Sequence, residues 1–193
     1  MFFPSSEIEV AAILSEAKEP LSVAGGNTRV LAPSGSKIIS TSKLSGVIDY
    51  EPGALTMIAK AGTPLSEIQK TLTSEGQCLA FDPYNWSRFI NKKGSSTIGG
   101  VFAANVSGSS RLRVGAARDF LLGIRLVDGL GNIIQNGGRV MKNVTGYDLS
   151  KLLSGSFGTL TVLTELSVKV LPKPETSKTL IINNPHVKKA LEY

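Results

Sequence analysis

The chain has 193 residues, 41% of them hydrophobic and 19% charged, and its 21 Lys+Arg against 15 Asp+Glu give a formal charge of +6. That composition is globular, neither disordered nor coiled-coil, and the length suits one domain or two small lobes sharing a site. One Cys and one His exclude an intrachain disulfide, a His/Cys zinc site and an iron–sulfur cluster ligated by this chain alone. With Cys78 as a lone thiol, the chemistry of a reducing compartment is expected. No apolar run reaches the roughly 20 residues of a membrane span. Met1-Phe2-Phe3-Pro4 lacks the basic and apolar regions of a signal peptide. Positive charge is scattered in short groups such as Lys92-Lys93, and aromatics make up only 6%. That speaks against a nucleic-acid surface and leaves a phosphorylated ligand or an acidic partner to use the charge.

Along the chain, Ser6-Glu7-Ile8-Glu9 reads as a capping box that opens a helix, which Pro20 stops. Leu21 to Ala24 is a short buried strand, followed by strands at Ile38 to Thr41, Val47 to Tyr50 and Leu55 to Ala61. Thr63-Pro64 then opens a helix with a hydroxyl cap and Pro at its first position; Leu65, Ile68 and Leu72 form its inner stripe, and Gly76 ends it. Asp82 to Gly94, without a period, is a long connecting loop. Ser95 to Gly108 is a run of small residues enclosing a short helix. Asp128-Gly129-Leu130-Gly131 turns a hairpin between Leu122 to Val127 and Asn132 to Gln135. Tyr147 to Leu153 is a two-turn helix closed by Gly155. From Leu160 to Val170 apolar and polar residues alternate, the clearest strand of the chain, and Pro172 ends it. Few helices among antiparallel strands make the second lobe α+β.

The 20 glycines cluster. Val23-Ala24-Gly25-Gly26-Asn27-Thr28-Arg29 lies at a strand end, where consecutive amides can form an anion-binding nest, Asn27 tolerates a left-handed backbone, and Thr28 adds a hydroxyl donor. A tight turn explains it as well; a Walker loop and a G-x-G-x-x-G fingerprint do not match. In Ser95-Ser96-Thr97-Ile98-Gly99-Gly100, Thr97 caps a helix whose face carries Gly100, Ala103 and Ala104. That face suits either a flat ligand or close packing on a sheet. Gly155-Ser156-Phe157-Gly158-Thr159-Leu160 opens the strongest strand, as a ligand loop or as a bulge. Together the three clusters imply a long ligand gripped in several places by backbone.

These residues resemble the FAD-binding domain of the vanillyl-alcohol-oxidase/p-cresol-methylhydroxylase (PCMH-type) flavoproteins, and within that group the small E-type flavin subunits of bacterial glycolate oxidases. The resemblance runs from Pro20 to Pro172. It rests on Gly25-Gly26-Asn27-Thr28, Thr97-Ile98-Gly99-Gly100, Arg118-Asp119-Phe120-Leu121-Leu122-Gly123, Gly155-Ser156-Phe157-Gly158-Thr159-Leu160 and Glu165. Its most specific string is Gly138-Arg139-Val140-Met141-Lys142-Asn143-Val144-Thr145-Gly146-Tyr147-Asp148.

The resemblance implies an α+β fold of two α/β lobes with FAD extended between them. The lobes span residues 1–61 and 62–172, and 173–193 begins a cap domain that is largely missing. It implies that Ala24, Gly25, Gly26, Asn27, Thr28 and Arg29 wrap the pyrophosphate. Thr97, Gly99 and Gly100 line the phosphate and ribityl region, and Asn105, Ser107 and Gly108 lie toward the flavin ring. Gly158, Thr159 and Val162 meet the adenosine end by backbone. Two positions depart from the pattern: Thr161 stands where the family usually has Gly, and Phe157 where many members have Glu. Cys78 and His186 lie outside the cofactor clusters, so FAD is expected to be non-covalent; no metal and no catalytic base are assigned. The implied activity is oxidation of glycolate or another 2-hydroxy acid, with electrons passing from flavin to a larger flavin subunit and an iron–sulfur subunit. The complex is expected in the cytoplasm or, through its partners, peripheral to the inner membrane. Two alternatives stand beside this reading: a non-catalytic FAD-fold subunit or fragment, and a basic nucleic-acid or phosphate-binding domain.

Arg118-Asp119 reads as a structural ion pair, Asp148 as a cap or ion-pair partner, and Glu165 as a partner of Lys169 or Arg125.

Overall fold

A computed structural model describes residues 1–28, 35–88, 94–138 and 146–181. Arg29, most of the string from Arg139 to Thr145, and His186 fall outside these described residues.

Helix α1 (Glu7–Ser15) starts where the Ser6 hydroxyl accepts from the Glu9 amide at 3.2 Å. The reciprocal half of the expected capping box is displaced: the Glu9 carboxylate accepts from the Ser5 amide and hydroxyl, at 2.8 and 2.9 Å. Strands β1 (Leu21–Ala24) and β2 (Lys37–Ser40) pair in parallel, Leu21 opposite Lys37 and Ala24 opposite Ser40. Phe2 adds itself to the free side of β2, its amide donating to Ile38 O at 2.7 Å.

A five-stranded antiparallel sheet forms the centre, in the order β3 (Val47–Glu51), β4 (Thr56–Lys60), β8 (Thr161–Lys169), β6 (Leu121–Asp128), β7 (Ile133–Gly137). Because β3 and β4 hydrogen-bond into the sheet of β8, backbone pairing runs across residue 61, where the sequence reading divides the lobes. A short pair, β5 (Gln77–Cys78) with β9 (Leu171–Pro172), ties Pro172 back onto the chain after α2 (Leu65–Ser74).

Two local expectations change. Thr63 does not cap α2; its hydroxyl is spent on Lys60 O at 2.6 Å and Gly46 O at 3.1 Å, and Leu65 N donates instead to Ser96 O at 2.7 Å. The residue at the helix start is therefore Pro64, without a side-chain cap. The expected single face of β8 is also broken. Leu126 pairs with Leu163 and Arg125 with Glu165, so Thr164 is a bulge residue, and one extra residue turns the strand's following side chains to the other face. Val162 packs on the α1 side, while Leu166 and Val168 enter the main core.

The main core gathers the α2 stripe Leu65, Ile68 and Leu72, the inward face of the sheet, and Phe81, whose ring lies 5.6 Å from Phe102 and 5.2 Å from Phe120. Each such side chain stabilises the fold by about 1.5–3 kcal/mol on burial. Under α1, Val10, Ile39, Leu44, Val127 and Val162 form a second cluster that joins β1–β2 to the sheet. Glu7 fixes α1 there, accepting from the Thr164 hydroxyl at 2.6 Å and from the Arg125 guanidinium at 2.5 Å. Glu165, expected as a partner of Lys169 or Arg125, sits opposite Arg125 across the strands and adds only a longer-range attraction to it.

Candidate functional site

A cleft of about 820 Å³ opens where β1, β8 and helix α3 (Ile98–Ala103) converge. That figure takes in open space at the cleft mouth; the enclosed part is about 110 Å³. Its walls come from the three small-residue clusters, and α3 holds them together.

The first wall leaves β1 at Ala24, whose carbonyl accepts from Thr41 N at 2.9 Å. Asn27 takes the left-handed conformation, φ 52°, as its residue type allows. Gly26 is pressed on the second cluster so closely that a β-carbon there would lie 1.7 Å from Ser95 O. Only glycine permits this backbone-to-backbone approach.

A hydroxyl chain fastens the same two segments. Asn85 Oδ1 accepts from Ser87 N at 3.1 Å, Ser87 Oγ at 2.8 Å and Ser96 Oγ at 3.3 Å. Ser96 thus spends its proton on Asn85, so across the 3.0 Å contact between Thr28 Oγ1 and Ser96 Oγ the donor is Thr28. The hydroxyl read from sequence as a donor to a ligand is turned to the protein, leaving Thr28 its backbone amide and a lone pair.

Thr97 caps α3, its hydroxyl accepting from Gly100 N at 3.3 Å, while its own proton meets no acceptor among the described residues. Gly100, Ala103 and Ala104 face the cleft. Gly99 also borders it, yet its main constraint is packing: a β-carbon would lie 2.7 Å from Ala61 O, and Gly99 N donates to that oxygen at 2.8 Å. At the other end of α3, Ala103 O accepts from Gly155 N at 3.0 Å and Phe157 N at 2.8 Å, which hangs the third cluster from the helix terminus. Phe157 sits in the left-handed region at φ 55°, half exposed at the rim.

Nine of the fifteen expected site residues line this cleft: Ala24, Gly25, Gly26, Asn27, Thr28, Thr97, Gly99, Gly100 and Gly158. Asn105, Ser107 and Gly108 lie off its wall and brace the turn below α3. Asn105 Oδ1 accepts from Arg118 N at 3.0 Å, Ser107 Oγ from Ala117 N at 2.9 Å, and Gly108 N donates to Phe81 O at 2.8 Å. Thr159 and Val162 line a neighbouring cleft of about 860 Å³, which shares Val23, Gly158 and Thr161 with the first.

The sequence reading missed Tyr84 and Trp86 on the wall and named Thr161 there only as a departure from the family pattern. Tyr84 and Trp86 fall in the segment read as a plain connection, where the aromatic pair itself is the usable signal. None of the described lining residues carries a charge, so backbone amides and hydroxyls supply the polarity. The other charged residues serve the frame. Arg118 and Asp119 form a loose, exposed pair at 3.8 Å, and Asp148 caps the short helix Leu149–Leu153 by accepting from Lys151 N at 3.2 Å. Cys78 lies outside the cleft in β5, with burial pushing its thiol pKa up.

These walls fit an FAD. Small residues let backbone approach a flat ring and a pyrophosphate, the uncharged lining of the first cleft avoids repelling phosphate, and the adjoining cleft, whose lining also carries Lys18, Glu19 and Asp128, adds the length of a dinucleotide.

Among the described residues no helix is long and apolar enough to cross a membrane. The chain is 40% identical over 165 residues to the glycolate oxidase subunit GlcE of Escherichia coli (strain K12), covering 84% of this chain and 45% of that protein. It is 32% identical over 185 residues to the glycolate oxidase subunit GlcD of Bacillus subtilis (strain 168), covering 92% and 38%. It is also 32% identical over 197 residues to the mitochondrial D-lactate dehydrogenase [cytochrome] of Arabidopsis thaliana, covering 98% and 33%. The chain thus spans less than half the length of each of these relatives. Among solved structures, an alkyldihydroxyacetonephosphate synthase superposes with a TM-score of 0.69 at 22% identity, over 90% of this chain and 32% of that one, a likeness of fold. A family model described as "FAD binding domain" matches residues 1–137, and with the PCMH-type fold around the cleft this places the chain in the FAD-binding-domain family, whose cofactor is FAD.

Proposed function

We propose that this chain is the FAD-binding part of a subunit of a 2-hydroxy-acid oxidase or dehydrogenase complex, with glycolate as the substrate. The observation that carries the reading is that the glycine loop packs on Ser95 and Ser96 just before α3 and the Gly155–Phe157 segment hangs from Ala103 O at the helix's other end, around an uncharged cleft. The identity to glycolate oxidase subunits supports it.

In this reading Ala24 to Arg29 and Thr97 to Gly100 hold the pyrophosphate and ribityl chain. Asn105, Ser107 and Gly108 shape the floor near the ring, and Gly158, Thr159 and Val162 serve the adenosine end. The Thr97 hydroxyl, with its proton uncommitted, donates to a ligand oxygen; Thr28 contributes its amide. Bound FAD supplies the redox chemistry, which no side chain of the cleft provides. Cys78, away from the cleft with a disfavoured thiolate, leaves the cofactor non-covalent. Residues 1–61 and 62–172 act as the two lobes, with 173–193 leading toward a cap. The partners are a larger flavin subunit and an iron–sulfur subunit that takes the electrons, in the cytoplasm or at the inner membrane face.

The test is a visible absorption spectrum of the purified chain, repeated on the supernatant after denaturation, then anaerobic addition of glycolate to the assembled complex. Flavin bands that move to the supernatant and bleach with glycolate support the proposal. Bands that stay with the protein overturn non-covalent binding. Flavin that binds but stays oxidised with every 2-hydroxy acid points to a non-catalytic subunit.

A further inference from the structure

Resting on the FAD reading, we infer that the Thr161 hydroxyl is a hydrogen-bond donor to the cofactor where it crosses from one cleft to the other, and that this contact makes the site select a dinucleotide over a mononucleotide. Val23, Gly158 and Thr161 border both clefts and form the saddle between them. Val23 and Gly158 bring no polar side-chain atom to it, so Thr161 Oγ1 is the one side-chain hydrogen-bonding group of the saddle. Thr161 shares a face of β8 with Leu163, two residues on and before the bulge, which also lines the first cleft.

Thr161 Oγ1 is buried and has no hydrogen-bond partner among the described residues. Buried hydroxyls are nearly always paired, so an orphan asks for a missing acceptor. Among the described residues one other buried hydroxyl is in the same state, Ser167, which sits inside the sheet between Ile58 and Gly123 and borders neither cleft. Ser167 is an internal control: an orphan of the fold, with no ligand beside it. The saddle is also narrow. A β-carbon on Gly158 would touch the Val23 β-carbon at 3.0 Å, so a ligand passing over it comes within reach of Thr161. Rotation about one side-chain bond carries the hydroxyl between its staggered positions without disturbing the strand.

The experiment compares wild type with Thr161→Val, which keeps the shape and removes the hydroxyl, Thr161→Ser, which keeps the hydroxyl, and Ser167→Ala. FAD, FMN and ADP are titrated separately against the full chain, with emission of Trp86, the single tryptophan, as readout. Thr161→Val should bind FAD and ADP about tenfold more weakly and FMN as wild type does, while Thr161→Ser recovers most of the affinity. Without ligand, Thr161→Val should melt no lower than wild type, because only an unmet hydroxyl is lost; Ser167→Ala should leave all three affinities unchanged. Thr161→Val binding FAD like wild type, or losing FMN to the same extent, overturns the inference while the FAD reading stands. Wild type that binds no FAD overturns both.

Discussion

Thr28 Oγ1 and Ser96 Oγ lie 3.0 Å apart with the proton on the threonine side, because Ser96 has already given its own to Asn85. The glycine loop after β1 and the segment before α3 are thus joined by a directional chain. Thr28→Val should cost about 1 kcal/mol of stability, and Thr28→Ser little. Asn85→Ala frees the Ser96 proton, so the double variant should lose less than the sum of the two; a coupling of about 0.5 kcal/mol or more in a denaturation cycle is expected. Strict additivity would mean that the chain is not connected.

Gly26→Ala should be among the most damaging single-methyl changes, since Ser95 O stands 1.7 Å from the new carbon and both atoms belong to backbone. A loss of about 3 kcal/mol is expected, with FAD affinity lost as the two walls part. Gly53→Ala, where a β-carbon meets nothing within 4 Å, is the matched control and should melt like wild type.

Removing the Glu7 carboxylate should loosen α1. It accepts from both Arg125 and Thr164, and the guanidinium pKa is raised chiefly by that hydrogen bond. With 35% of the Arg125 side chain exposed, solvent takes up part of the loss, so Glu7→Ala should cost about 1–2 kcal/mol. Hydrogen exchange should show the loss first in α1 amides. An unchanged exchange pattern would assign the stability of α1 to Val10 and its apolar neighbours alone.

The β6–β7 turn should be acid-sensitive. Asn132, through its side-chain amide and then its backbone amide, holds the Asp128 pKa below the ordinary carboxylate value of 3.8. Its stabilising effect is therefore complete above that ordinary value and is lost as pH falls through the lower, folded one. Chemical shifts of the Leu130 and Asn132 amides, followed down in pH, should move together in this range. In Asp128→Asn that shared titration should disappear.

Alkylation of Cys78 should be slow. Burial is the largest influence on its thiol and raises its pKa, so at neutral pH the folded chain holds less thiolate than an unfolded one. Iodoacetamide should react faster after denaturation, and the rate of the folded form should rise at higher pH than that of a free thiol. Cys78→Ala should release flavin on denaturation just as wild type does.

Periodic and punctuated stretches were legible before any coordinates. Leu21 to Ala24 is the strand expected, the α2 stripe is buried at Leu65, Ile68 and Leu72, and Thr97 caps α3. What escaped depends on partners far along the chain. Thr63 looks like a helix cap until Gly46 and Lys60 claim its hydroxyl. The alternation after Leu160 gives no hint of a bulge at Thr164, which is set by the register against β6. Gly99 and Gly108 carry the composition of a ligand loop, yet Ala61 and Asp82 press on them from within the protein. Tyr84 and Trp86 reach the cleft because Asn85 between them is bound to Ser96, a contact that local sequence cannot announce.

The glycine loop packs on Ser95 and Ser96 at one end of the six-residue helix Ile98–Ala103 and the Gly155–Phe157 segment hangs from Ala103 O at the other, so the width of the cleft behaves as one adjustable dimension. A small ligand that settles one wall settles the position of the others. Two fragments, each too short to span both clefts, should accordingly help one another: FMN and ADP bound together would each hold more tightly than alone, a cooperativity carried by shared order and needing no contact between the fragments.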